Sequence, residues 1–387
     1  MIGDRSLFPT LRARSYLAHC AISPLSRPVV DAMAAYTADF AAEGVSALGP
    51  WLGRRAALRG ALASLIGARP DDVALVASTT AGVIDLAFAI PWRSGDRVVV
   101  FDGEFPTNVT PWQQAASTFG LEVVRLPLSG FGDGSGAGLG RVEDALKRGV
   151  RVVAVSAVQF QTGLAMPLNA LGQLCRRYDA ELFVDAIQAV GSVPVDVRHV
   201  DYLVAGSHKW LMGTDGCALL YVSPERVGAL VPRLAGWLSH EDPVGFLFGG
   251  ALTYDRPMRA RADVFEVGAT NGAGLAGLAA AVELLAGIGV APIFAHIQAW
   301  HDAIEPGLRA RGFTSLRASD PAARSGILAL RTPLDVQALV RALGARGIVV
   351  SAPENCLRIA PHWPNALAEV PGVLASFDEA IADISAA

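Results

Sequence analysis

Lys209 stands near the end of Tyr202-Leu-Val-Ala-Gly-Ser-His-Lys-Trp210, where a run apolar on both faces stops at Gly206-Ser207-His208. The run predicts a short buried strand over Tyr202–Ala205. A lysine just past the end of such a strand, among Gly, Ser and His, is poised to reach into a cavity. Upstream, Glu181-Leu-Phe-Val-Asp185 is a second apolar strand, and it ends on a carboxylate. The separation of 24 residues between Asp185 and Lys209 leaves room for one loop and one strand. An amine and an acid on neighbouring strand ends suit pyridoxal 5′-phosphate (PLP). The amine forms an imine, and the carboxylate keeps the pyridine nitrogen protonated so that the ring accepts electrons.

These strand ends need a sheet to hold them. Further strands are predicted over Asp72–Ala77, Asp96–Asp102, Arg151–Ser156 and Gly216–Val222, with helices over Pro28–Glu43, Gly53–Ile66, Thr80–Ile90 and Leu168–Tyr178. The alternation across about 70–220 argues for a mostly parallel sheet covered on both faces. Strand-end loops are where ligands sit in such sheets. Ser78-Thr79-Thr80 lies where a strand hands over to a helix. Hydroxyls there serve as N-caps, and beside Lys209 they also predict a phosphate site, with Thr79 and Thr80 as its hydroxyls. The glycine-rich stretch Ser129–Gly140 lacks the strand–turn–helix frame of a dinucleotide loop and reads as a flexible loop. From about Leu275 the chain changes to helix, short strands (Gly326–Leu330, Gly347–Ser351, Cys356–Ala360) and helix (Pro333–Leu343). The expected organisation is an N-terminal arm (1–15), a large PLP-binding domain (16–262) and a small C-terminal α/β domain (263–387).

Phe183-Val-Asp185-Ala-Ile-Gln188 followed by Gly206-Ser-His-Lys209-Trp210 resembles the class V aminotransferase group of fold-type-I PLP-dependent enzymes. That group includes cysteine desulfurases, kynureninases, isopenicillin N epimerase-like proteins and C–S lyases. The likeness runs from about Tyr16 to the C-terminus. It implies an α/β fold with a mostly parallel seven-stranded sheet, and a homodimer with its active sites at the interface. It also implies roles residue by residue. Lys209 and Asp185 are the catalytic pair. Thr79, Thr80, Ser207 and His208 surround the phosphate, Phe105 stacks on the pyridine ring, and Gln188 serves the ring oxygen. Trp237 and Thr270 reach the cofactor across the dimer interface. Arg358, in Leu-Arg-Ile-Ala-Pro-His, matches the arginine that binds the substrate α-carboxylate, and His19 belongs to the segment lining the substrate entrance. Two departures stand out: Phe160 replaces an asparagine common in relatives, and Ala269 precedes Thr270 where a threonine usually follows the glycine.

An arginine on a buried strand needs a carboxylate partner, because an unpaired buried charge is costly. A planar fork suits that partner better than an ammonium does. An internal salt bridge is the alternative to a substrate. The expected substrate is therefore a small L-amino acid, and Arg358 argues against a sugar aminotransferase. Transamination, β-elimination or C–S cleavage, kynureninase-type cleavage and epimerisation all stay open. A sulfur-relaying desulfurase is disfavoured. Its mobile cysteine is missing, since Cys356 lies two residues before Arg358 on the same strand, and Phe105 replaces the usual histidine. A non-catalytic PLP-fold binding protein would have lost Lys209 or Asp185, and both are present.

Composition sets the outer bounds. Of the 387 residues, 52% are hydrophobic and 18% charged, which indicates large buried surfaces including a subunit interface. A formal charge of −4 gives no reason to expect nucleic acid or a membrane surface as partner. The four cysteines show no ligand spacing, and the first residues lack the apolar stretch of a signal peptide, so a cytoplasmic protein with reduced thiols is expected. The most apolar region, Gly274–Ala295, reads as a buried helix with its stop signal, not as a membrane span.

Overall fold

A computed structural model describes residues 1–386. Seven strands form the main sheet: β1 (Val73–Val76), β2 (Arg97–Phe101), β3 (Glu122–Leu126), β4 (Val152–Ser156), β5 (Glu181–Asp185), β6 (Tyr202–Gly206) and β7 (Ala218–Val222). Their order is β1-β7-β6-β5-β4-β2-β3. Strand β7 runs antiparallel to both of its neighbours, and every other adjacent pair is parallel. The central strands β4, β5 and β6 are buried along their whole length. Their side chains alternate between two cores: Leu203 and Ala205 of β6 enter one, Tyr202 and Val204 the other. Helices cover both faces, so a strand of period two can be apolar throughout.

Strand β3 has no counterpart among the predicted elements. It is an edge strand with Glu122 and Arg125 exposed, and charges of that kind protect an open edge while breaking the apolar signal. The glycine-rich stretch differs too. Only its first part is a loop, because the helix Ala137–Leu146 starts inside it. Gly138 is required there, since a Cβ would lie 2.5 Å from the Phe131 ring.

The apolar region near 280 is two helices, Gly272–Ile288 and Val290–Ala310, bent by 77° at Gly289. The first packs on the helices Arg27–Glu43 and Leu48–Ile66. No single helix among the described residues is long and apolar enough to cross a membrane. Toward the C-terminus, β8 (Thr314–Ser315), β9 (Leu328–Arg331) and β10 (Leu357–Ile359) form an antiparallel sheet ordered β10-β9-β8. Ser15–Tyr16 pairs in parallel with Ile348–Val349, and the Gly3 N–H donates to the Trp363 carbonyl at 2.7 Å. The first residues are thereby tied to the last hundred.

Three histidines are sealed inside this region. His19 and His362 meet edge to face, with ring centroids 5.3 Å apart, and His301 is fully buried with neither ring nitrogen hydrogen-bonded. Burial pushes His301 down to about 3 and His362 to about 4, and lowers His19 well below its ordinary value. The unfolded chain therefore takes up these protons first as pH falls. Stability should be full above the unfolded histidine value near 6.5 and lost as pH falls toward the folded values, by about 1.4 kcal/mol per pH unit for each histidine. Denaturant unfolding at pH 7.5 and 5.5 checks this. His301→Leu should flatten the profile without a cost at pH 7.5, because it removes two unsatisfied polar atoms. An unchanged pH slope in that variant would remove His301 from the account.

Candidate active site

Strands β5 and β6 are parallel neighbours, with Asp185 opposite Val204. Their ends therefore open at the same edge, and the two functional groups leave side by side. After β6 the chain is pinned by Ser207, whose N–H donates to the Cys217 carbonyl at 3.0 Å and whose hydroxyl donates to the Thr214 carbonyl. Met212, with φ 56°, turns the chain back so that its N–H reaches the Lys209 carbonyl at 3.0 Å. Lys209 thus sits on a tight loop, with its Nζ 5.7 Å from the centre of the Phe105 ring. Burial lowers its pKa. Asp185 and Cys20 oppose that shift, and Arg358 adds to it.

Asp185 is 3% exposed, and burial raises its carboxyl to about 7. The Ile187 N–H, donating to Oδ1 at 3.0 Å, works against the rise, as does Lys209, while Glu104 adds to it. No other hydrogen bond reaches this carboxylate among the described residues. A buried acid with an unmet oxygen, an amine nearby and an aromatic face above it fits a protonated pyridine ring. The helix Thr79–Ala89 begins at the same edge. Ser78 caps it by accepting from the Ala81 N–H at 3.0 Å, which leaves the first-turn N–H groups for an anion. Thr79 Oγ1 accepts from the Gly206 N–H at 2.9 Å, tying this helix start to the end of β6. Thr80 Oγ1 lies 2.8 Å from Thr107 Oγ1.

The remaining expected residues fall into three groups. Phe105 is 46% exposed and meets Phe160 edge to face at 5.3 Å. Gln188 already uses both ends of its amide: Nε2 donates to the Cys20 carbonyl at 2.9 Å, and Oε1 accepts from Trp210 Nε1 at 2.8 Å. One N–H remains for a further partner. His208 Nδ1 lies 3.1 Å from Asp215 Oδ1, and burial lowers its pKa against the pull of that carboxylate. Arg358 is buried. Its Nε donates to Ser351 Oγ at 3.1 Å and its Nη1 to the Phe160 carbonyl at 2.6 Å. No carboxylate lies within ion-pair distance of it among the described residues, so the internal salt bridge left open by the sequence is absent.

His19 is placed differently from a residue lining an open entrance. It is 1% exposed, with Nδ1 2.7 Å from Ser23 Oγ. The Ser23 hydroxyl donates to the Lys209 carbonyl at 2.6 Å, so the proton between His19 and Ser23 belongs to Nδ1. Trp237 and Thr270 do not gather around Lys209 within one chain. They share a separate apolar hollow of about 310 Å³ with Tyr36, Trp51 and Leu247.

Sequence reasoning passed over Glu104, Cys20 and Ser351, and it placed Ser23 toward the substrate without its contact to the Lys209 carbonyl. Glu104 is buried and accepts from the Ser156 N–H at 2.7 Å, the Ser156 hydroxyl and Gln159 Nε2 at 3.0 Å. It ties the loop carrying Phe105 to the loop carrying Phe160. The only local signal was an acid next to Phe105 at a strand end. Nothing marked Cys20 or Ser351.

The sequence profile described as Aminotransferase class-V matches residues 15–377. An uncharacterized aminotransferase, YcbU, of Bacillus subtilis is 30% identical over 95% of this chain and 94% of its own length. A probable cysteine desulfurase of Methanothermobacter thermautotrophicus is 30% identical over 74% of this chain and 70% of its own. Among solved structures, the cystine C–S lyase C-DES in complex with cysteine persulfide superposes with a TM-score of 0.87 at 24% identity, covering 96% of this chain and 98% of that one. Apo cysteine desulfurase from Thermococcus onnurineus NA1 gives a TM-score of 0.84 at 24% identity, covering 95% of each chain. The match spans both the sheet that carries Lys209 and Asp185 and the strand that carries Arg358, and the chain belongs to the class V aminotransferase family of PLP-dependent enzymes.

Proposed function

We propose that this enzyme works at the α-carbon of an L-amino acid, with Lys209 and Asp185 as catalytic residues and Arg358 as the anchor of the substrate's α-carboxylate. The observation that carries the reading is Arg358, a guanidinium 6% exposed that meets only neutral oxygens. A buried charge without a counter-charge is strongly disfavoured, and a substrate carboxylate supplies the counter-charge. PLP, when bound, supplies the electron sink that makes an α-proton removable. Lys209 would hold it, and its half-buried amine, with a pKa lowered by desolvation, would take the α-proton and return it. Asp185 keeps a proton on the ring nitrogen. Thr79, Thr80 and His208 serve the phosphate, Phe105 the ring face and Gln188 the ring oxygen, whereas Ser207, with its N–H and hydroxyl both donated to backbone carbonyls, pins the loop instead. His19 acts through Ser23, holding the Lys209 loop against the site.

For the reaction we favour transamination or a lyase step without sulfur relay. Cys356 is buried, with Sγ 3.6 Å from the Gln161 carbonyl, and it sits in a short turn between Ser351 and Arg358. That turn holds the thiol beside Arg358 but gives it no reach. C–S cleavage is the second reading, favoured by the relatives named as probable cysteine desulfurases. Single-turnover mixing of the holoenzyme with a panel of L-amino acids separates transamination from lyase chemistry. Under transamination the visible band is lost stoichiometrically and stays lost until a keto acid is added. Under lyase chemistry it returns while pyruvate, alanine or sulfide accumulates. Return with only α-hydrogen exchange would favour epimerisation over both.

We also propose a homodimer that completes the site. Trp237 (49% exposed) and Thr270 line a hollow away from Lys209, and Leu247, Phe248, Leu252 and Tyr254 are exposed nearby. An apolar surface of this kind calls for a protein partner. Light scattering of the purified enzyme tests it. The cysteines of the chain are free thiols, which supports a reducing, cytoplasmic location.

A further inference from the structure

We infer that Ser351 is a positioning residue for Arg358, fixing the guanidinium with a neutral acceptor so that its charge and remaining donors face the substrate. The inference rests on the reading of Arg358 as the carboxylate anchor. The two residues are cross-strand partners. The Arg358 N–H donates to the Ser351 carbonyl at 2.7 Å, and the pair forms an antiparallel bridge. Directly opposite residues on such a bridge project to the same face, so the Ser351 hydroxyl is delivered to the Arg358 side chain by the backbone. It takes Nε at 3.1 Å, while the Phe160 carbonyl takes Nη1 at 2.6 Å.

Two rigid acceptors at different edges of a planar fork fix its rotation and leave Nη2 unengaged among the described residues. Both acceptors are neutral. A carboxylate at position 351 would hold the guanidinium as firmly but would cancel the charge that the substrate must find. The hydroxyl is itself held from behind, because Cys20 Sγ lies 3.5 Å from Ser351 Oγ. Cys20 in turn offers its carbonyl to Gln188. The orientation of Arg358 is therefore linked to the segment that crosses over Lys209.

The test uses two reagents that attack the lysine-held cofactor through the same aminooxy group, aminooxyacetate with a carboxylate and methoxyamine without one. The readout is the ratio of their rate constants for loss of the visible band in the holoenzyme. Arg358→Ala should bring the ratio close to that of the free cofactor. Ser351→Ala should lower it about tenfold, in line with the loss of one hydrogen bond to a charged group, and leave the methoxyamine rate unchanged. Ser351→Thr should restore the ratio, and Ser351→Asp should lower it further than alanine does. If Arg358→Ala collapses the ratio and Ser351→Ala does not, the positioning role is wrong and the anchor stands. An equal slowing of both reagents in Ser351→Ala would also overturn the positioning role, because that is the mark of a general disturbance. If Arg358→Ala leaves the ratio intact, the anchor itself fails, and the role of Ser351 with it.

Discussion

Lys209→Ala should abolish turnover and the visible absorbance of the lysine-held cofactor while leaving the fold intact. The side chain is half-buried, its amine is desolvated, and its charge is opposed by Arg358. Removing it relieves a cost, so thermal stability of the cofactor-free protein should hold or rise. The catalytic loss has two sources, the covalent attachment and the proton transfer. General base catalysis alone contributes on the order of 10²–10⁴-fold. A variant that keeps both the band and the activity would remove Lys209 from the mechanism. Recovery of part of the rate by added methylamine would identify the base function separately from the attachment.

Asp185→Asn carries the second-largest expected effect. Asparagine keeps the shape and can still accept from the Ile187 N–H, which contacts Asp185 at 3.0 Å. It cannot hold a proton on the ring nitrogen, so the cofactor still binds but withdraws electrons poorly. Turnover should fall by roughly 10²–10⁴-fold, the range of a lost acid–base partner, with a smaller change in cofactor affinity. The site should also lose the ionisation that burial places at about 7 in the cofactor-free protein. Because this carboxyl is raised in the folded state, its protonated form favours folding. It adds to stability fully below the ordinary carboxylate range, and the contribution is lost as pH rises through about 7. Asp185→Asn should remove that component, so stability of the cofactor-free protein should become less favourable to the acid side between about pH 4 and 7. Equal turnover in the variant and the parent would show that the acid does not act on the ring.

What the sequence made legible follows from how local each signal is. β4, β5 and β6 are fully buried, so their residues form unbroken apolar runs, and the charged group at each end stands out. That contrast singled out Lys209 and Asp185 as candidates, while Arg358, in the middle of β10, was singled out by the resemblance of its Leu-Arg-Ile-Ala-Pro-His context. β3 was missed because its edge position demands charges that break the run. Ser351, and the contact that Ser23 makes, were missed for a different reason. Ser23 acts on Lys209 across 186 residues of sequence, and Cys20 meets Ser351 across 331. No local pattern encodes contacts of that range. The placement of His19 shows the same limit. Its segment was identified, but the burial of its ring against His362 depends on packing between opposite ends of the chain.

The crossing of the N-terminal segment has a consequence for synthesis. Residues near Ser23 leave the ribosome well before the Lys209 loop that they hold, and the Ala18 bridge reaches Ala360. The sheet can form while translation continues, but Arg358 and the strand beside Ala18 arrive only after it. A nascent chain therefore has its lysine and its acid well before it has a closed site, and long-range closure of this kind is slow. On the proposed reading, productive chemistry has to wait until Arg358 has emerged and paired with Ser351, so the lysine and the acid are in place before the amino-acid site is.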